Sequence, residues 1–220
     1  MAQTKSELEN QAAIKRGNEK YAKAEYRAAI EEYEQVQPIS KELYAQALYN
    51  IGVCYYELWR TPDAILMYRK AIEARANNYP KASYALGVAL EDLGRTREAA
   101  EAYGRAITAS NGEYAAAHYR LGLIVAHDGD YKRAATLFRE AIARSGDHLP
   151  ASHNNLGVML AMTNRLAEAE REFETALRQT GGEFDEAASN LKLCRSLRSS
   201  TPTIQAATLK VVAMSDEFSK

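Results

Sequence analysis

Proline is scarce in this sequence, with 5 in 220 residues, and tryptophan (1) and phenylalanine (4) are scarcer. Helix interiors reject proline, and 39 alanines, the best helix formers, dominate instead. The composition therefore favours an all-helical chain over a sheet protein. A charge excess is also missing: 28 basic residues against 29 acidic ones leave a formal net charge of -1 at pH 7. Such a chain lacks the electrostatic footprint of a dedicated nucleic-acid binder. No apolar run reaches the roughly 18 residues needed to span a bilayer, so no membrane partner is expected. The opening residues, Met1 to Lys5, carry no apolar signal stretch, so no targeting peptide is expected in this sequence. Cys54 and Cys194 form no ligand motif, and they are expected to be reduced thiols on helices of a cytoplasmic protein. Phosphate-cradling glycine loops, nucleophile elbows and metal-ligand spacings are absent from the sequence as well, so no enzyme, cofactor or metal is expected. What is plentiful, besides alanine, is tyrosine, with 14 residues.

The sequence repeats itself every 35 residues. Gly17, Gly52, Gly87, Gly122 and Gly157 keep that spacing without a slip, and Ile51, Leu86, Leu121 and Leu156 precede the last four, with Arg16 before the first. Ala29, Ala64, Ala99, Ala134 and Ala169 form a second column, and Tyr33, Tyr68, Tyr103, Phe138 and Phe173 a third. Val36, Ala71, Ala106, Ala141 and Ala176 form a fourth. Each unit predicts a helical hairpin, in which small residues let two helices approach and the aromatic ring fills the space beside them. Gly94, Gly129 and Asn164 share the position where a helix C-terminus wants a left-handed residue. Thr61-Pro62 reads as an N-cap followed by proline at the first helical position, and Ser6-Glu7-Leu8-Glu9 as a capping box. Tyr44, Tyr79, Tyr114, Leu149 and Phe184 are each predicted to precede a first helix and staple its start.

These columns resemble the tetratricopeptide repeat, whose signature is W-x2-L-G-x2-Y, then A, F and P. The second unit carries it over Leu48 to Tyr55, with Leu48 in the Trp column, Ile51, Gly52 and Tyr55 in theirs and Ala64, Tyr68 and Ala71 later, and the fifth as Leu156, Gly157, Ala169, Phe173 and Ala176. The resemblance covers about residues 7–197. The period is 35 where 34 is usual, and Pro80 and Pro150 are displaced to open the next first helix, as if each inter-unit loop held one more residue. The resemblance implies an all-α, right-handed α-solenoid over residues 1–198. Its hairpins would span about 10–43, 44–78, 79–113, 114–148 and 149–183, and 184–197 would form a capping helix with Arg195 and Arg198 on its exposed side. It implies no catalysis: the first helices would line a concave groove that holds an extended segment of a partner protein. Five units at about 10 Å each give a groove on the order of 45 Å.

Helical spacing picks out the groove face. Its candidates are Tyr49, Asn50, Val53 and Tyr56 in the second unit, and Lys81, Tyr84 and Val88 in the third. Tyr119, Arg120 and Leu123 follow in the fourth, and Asn154, Asn155 and Val158 in the fifth. Tyr21 falls on the same face. Tyrosine and arginine combine apolar area with a polar tip and are favoured in interfaces; the competing role for the tyrosines is helix packing. A second column reads Lys15, Asn50, Ala85, Arg120, Asn155. An Asn amide has a donor and an acceptor and can pair with both backbone groups of one peptide residue. Asn50 and Asn155 resemble the asparagine ladder of the O-GlcNAc transferase repeats, interrupted by Ala85. The carboxylate clamp for acidic C-termini is matched only at Asn18, Asn50 and Lys81, with Ile14 and Ala85 where cations are required. Pentatricopeptide arrays share the 35-residue period but are basic and read RNA, so they are disfavoured. His118 and His153 share a column and read as packing residues.

Residues 199–220 form a distinct tail, apolar and β-branched around Leu209-Lys210-Val211-Val212. It is expected either to be a linker or to be an extended segment that docks in a groove, in its own chain or a neighbour's. The second option would make the chain a self-associating scaffold or homo-oligomer. A third alternative is a regulatory segment of a longer protein.

Overall fold

A computed structural model describes residues 5–199 and 209–212. Expectations for residues 1–4 and for the remainder of the tail lie outside the described residues. Within them the chain is all-α. Its helices are α1 (Lys5–Tyr21), α2 (Tyr26–Tyr33), α3 (Lys41–Glu57), α4 (Thr61–Ala74), α5 (Pro80–Asp92) and α6 (Thr96–Ala109), then α7 (Ala115–His127), α8 (Tyr131–Arg144), α9 (Pro150–Met162), α10 (Leu166–Gln179) and α11 (Asp185–Ser199).

The glycine and aromatic columns meet inside each hairpin. A Cβ on Gly52 would lie 2.7 Å from the Tyr68 ring, on Gly122 2.9 Å from Phe138 and on Gly157 2.6 Å from Phe173. Real Cβ atoms do not approach so closely, so the ring seats only because the glycine facing it has no side chain. Ala29, Ala64, Ala99, Ala134 and Ala169 are fully buried in the same seams. A mid-helix glycine costs about 1 kcal/mol in propensity, which the ring contact offsets.

The chain forms two compact units, Met1–Gly112 and Glu113–Lys220. The first holds the hairpins α1–α2, α3–α4 and α5–α6. The second holds α7–α8 and α9–α10, followed by α11 packed on α10 and α9.

Turn chemistry follows the repeat. Ala24, Trp59, Gly94, Gly129 and Asn164 all sit at positive φ at the hairpin tips. The loops after α4, α6, α8 and α10 carry two successive left-handed residues, Ala76-Asn77, Asn111-Gly112, Gly146-Asp147 and Gly181-Gly182, and the loop after α2 carries none. Tyr79, Tyr114 and Leu149 are N-cap residues of α5, α7 and α9, and Pro80 and Pro150 open α5 and α9. Three starts differ from the sequence reading. Helix α1 already includes Lys5 and Ser6, so Ser6 is not its N-cap. Helix α3 begins at Lys41, because Ser40 caps it by accepting from the Leu43 N–H, so Tyr44 lies inside the helix. Helix α4 includes Thr61; its N-cap is Arg60, whose Nε pairs with Asp63 2.8 Å away. The first hairpin is irregular as well: α2 has only 8 residues. Buried Asn10 fastens the loop after it by bonding both backbone groups of Gln37, each at 2.9 Å.

Candidate functional site

In the second unit, residues 209–212 lie on the first helices as an irregular segment outside any helix. In an extended chain a residue's N–H and C=O point to the same side, and every second residue shares that side. The segment is held in that pattern. Asn155 Oδ1 accepts from the Val212 N–H and Asn155 Nδ2 donates to the Val212 carbonyl, both at 2.8 Å. Asn190 does the same for Lys210, accepting from its N–H and donating to its carbonyl, both at 2.9 Å. Asn154 Nδ2 adds a bond to the Lys210 carbonyl at 3.2 Å, and the Tyr119 hydroxyl donates to the Val212 carbonyl at 2.6 Å.

The amides are themselves oriented. Asn190 Nδ2 donates to Asn154 Oδ1 at 2.9 Å, Asn154 Nδ2 to Asn155 Oδ1 at 3.2 Å and Asn155 Nδ2 to the Tyr119 hydroxyl at 3.1 Å. Asn154, Asn155 and Tyr119 have no exposed surface, and Asn190 retains 2%. Buried amides of this kind must be paired; here the partners are peptide backbone and one another. The Tyr119 ring packs edge-on against Phe138, with centroids 5.7 Å apart, which fixes its hydroxyl. Val158 is buried on α9, and Leu123 and Arg120 are half-buried on α7. Sequence reasoning misses Asn190, although it stands 35 residues after Asn155 in the same column, because the polar face of α11 reads as that of a cap.

Six hydrogen bonds hold four residues. At about 1 kcal/mol net each, they face about 1–2 kcal/mol per residue of backbone ordering. The two sums are of similar size.

The first unit presents the other predicted residues. Asn18, Tyr21, Tyr33, Tyr49, Asn50, Val53 and Lys81 line an open pocket of about 230 Å³. Asn50 Nδ2 donates to Asn18 Oδ1 at 3.3 Å, and the Tyr33 hydroxyl donates to the same oxygen at 2.8 Å. The Lys81 ammonium sits 5.1 Å from the centroid of Tyr49, which also packs on Tyr68 and Tyr79, each at 5.7 Å. Tyr84 packs on Tyr103 at 5.6 Å, and Val88 is half-buried on the same helix. Tyr49, Tyr84 and Tyr119 each lie against the aromatic ring of the second helix of their own hairpin, the packing role weighed for them from the sequence. The Tyr56 hydroxyl bonds Asp92, and that of Tyr21 donates to Glu57 at 3.3 Å. Burial, with the Glu57 charge nearby, pushes the Tyr21 phenol up to about 12.

Other reactive groups are occupied or shielded. Burial pushes the Cys54 thiol up to about 12, so it stays protonated and inert. His153 is buried and bonds Glu172 through Nδ1 at 2.7 Å, a carboxylate partner the sequence did not reveal. Arg195 and Arg198 are exposed, as expected, but both reach back to Glu170 on α10, at 2.6 and 2.7 Å. Among the described residues no cluster of His, Cys, Asp and Glu could hold a metal, and no helix is long and apolar enough to cross a membrane.

The tetratricopeptide repeat signature matches residues 11–80 and 84–150, and a second signature of the same repeat matches 125–193. No curated protein matches significantly. Among solved structures, one of MamA is 25% identical, covers 75% of this chain and 94% of its own, and superposes with a TM-score of 0.64. MamA 41-end from Desulfovibrio magneticus RS-1 is 17% identical, over 83% of this chain and 99% of its own, at a TM-score of 0.64. YrrB, described as a TPR protein with an unusual peptide-binding site, is 22% identical, over 82% and 90%, at 0.65. The last two likenesses show the fold alone: an all-α, α-solenoid class.

Proposed function

The chain belongs to the tetratricopeptide repeat family, and from that premise we propose that it is a non-catalytic interaction module that holds an extended segment of a partner protein by its backbone. The observation that carries this is the double pairing of Asn155 with Val212 and of Asn190 with Lys210. The groove of the second unit is built to satisfy peptide backbone, residue after alternate residue. Tyr119, Asn154, Asn155 and Asn190 do the gripping, and Val158 and Leu123 supply the apolar floor. The peptide-binding site named for YrrB supports the same use of the fold. Tyr49, Asn50, Val53, Tyr56, Lys81, Tyr84 and Val88 offer a second, less regular binding surface within the first unit.

The test is a peptide library displayed on phage and selected on the wild-type chain. Sequences enriched there should bind Asn155→Ala/Asn190→Ala at least tenfold more weakly, since each amide lost costs about 1–3 kcal/mol. Circular dichroism should be unchanged. Equal affinity for both chains would contradict the ladder.

A further inference from the structure

The groove of the second unit already holds a peptide, and that peptide is the chain's own tail. We propose that residues 209–212 are a resident ligand that closes the groove in its own chain, and that a partner enters only by displacing them with a segment of the same backbone chemistry. This deepens the reading given above and rests on it.

Three observations carry the step. First, the hydrogen bonds from the ladder to residues 209–212 go to backbone: the N–H and carbonyl of Lys210 and of Val212. Nothing in those bonds depends on the tail's side chains, so another extended segment can make them. Second, Lys210 and Val211 are exposed, Val211 by 42%, while Leu209 and Val212 are half-buried. The segment rests on the groove without being sealed into a core, as a displaceable occupant must. Third, the tether is short: nine residues separate Ser199, the end of α11, from Leu209. A tether of that length holds its end near its site at an effective concentration on the order of millimolar. The chain's own tail therefore outcompetes the tail of a second copy at ordinary protein concentrations.

The occupant also defines the partner. The segment runs from Asn190 towards Asn155, advancing two residues per 35-residue step. A competitor must be extended and must offer N–H and C=O together at alternate residues. Proline at either gripped position removes the donor and excludes the segment.

The experiment uses the full chain. The probe is a fluorescently labelled synthetic peptide with the sequence of residues 205–216. The opened chain is Lys210→Pro/Val212→Pro, which deletes both gripped N–H groups and leaves every helix untouched. If the tail is seated nine times in ten, wild type should bind the probe about tenfold more weakly than the opened chain. Adding Asn155→Ala/Asn190→Ala to the opened chain should abolish binding. Equal probe affinity for wild type and opened chain overturns self-closure while leaving the peptide groove intact. An opened chain that keeps its helicity and binds no probe overturns both. Light scattering in the same samples should give a monomer. A dimer that the two prolines dissolve would assign the groove's occupant to a neighbouring copy and overturn closure within one chain.

Discussion

Each repeat glycine is answered by an aromatic ring in its own hairpin, and the ring decides what the position tolerates. Gly157→Ala places a methyl group 2.6 Å from the Phe173 ring. Overpacking of that kind costs about 1–3 kcal/mol, so urea unfolding should shift to lower denaturant. Adding Phe173→Leu should recover part of the loss. A neutral Gly157→Ala would mean that the ring contact does not set the column. Trp59 makes the opposite case. Its φ is +59°, and the side chain is 92% exposed, so it bears left-handed strain with no packing in return. Trp59→Gly should stabilise the chain by about 1 kcal/mol; a lower unfolding midpoint would contradict this. The left-handed tip was legible in the sequence at Gly94, Gly129 and Asn164 but not at Trp59, whose residue type gives no such signal. The glycine column was legible, because its constraint repeats every 35 residues. The pairings of Tyr21 with Glu57, Tyr56 with Asp92 and His153 with Glu172 were not. They join side chains from different helices, and a column shows what recurs along the chain, not what faces it.

At the level of elements, helix type and order could be read directly, while several boundaries could not. Helix α3 starts at Lys41 because one local cap, Ser40, overrides the repeat phase. The paired left-handed residues between hairpins escape the eye because four different residue pairs fill them. Helix α11 carries a polar face that reads in the sequence as a solvated cap, yet it bears Asn190 for the tail and two arginines for α10. Arg195 hydrogen-bonds Glu170 and, with Arg198 nearby, holds its carboxyl below the usual value of 4.5. A carboxyl depressed in the folded state stabilises above its unfolded value, and that contribution is lost as pH falls through the folded one. Hydrogen exchange across α11 should therefore accelerate as pH falls below about 4.5, after correction for intrinsic rates. In Arg195→Gln the acceleration should be smaller. An acid response identical in the two chains would remove Glu170 as its source.

For the molecule as a whole, an alanine-rich, proline-poor composition pointed to an all-helical chain and near-zero net charge pointed away from nucleic acid, while the repeat columns carried the family resemblance that implied a groove face. The sequence also presented Asn155 as one rung of a ladder and the tail as a segment able to dock. It could not join the two, because contact between residues 155 and 212 depends on where α11 ends and how the chain returns. The most direct measurement is amide hydrogen exchange of 209–212, resolved residue by residue by NMR. A grip on alternate backbone groups predicts slow exchange at Lys210 and Val212, fast exchange at Leu209 and Val211, and loss of protection at Val212 in Asn155→Ala. Uniformly fast exchange at all four amides, or protection that survives Asn155→Ala, would contradict the account.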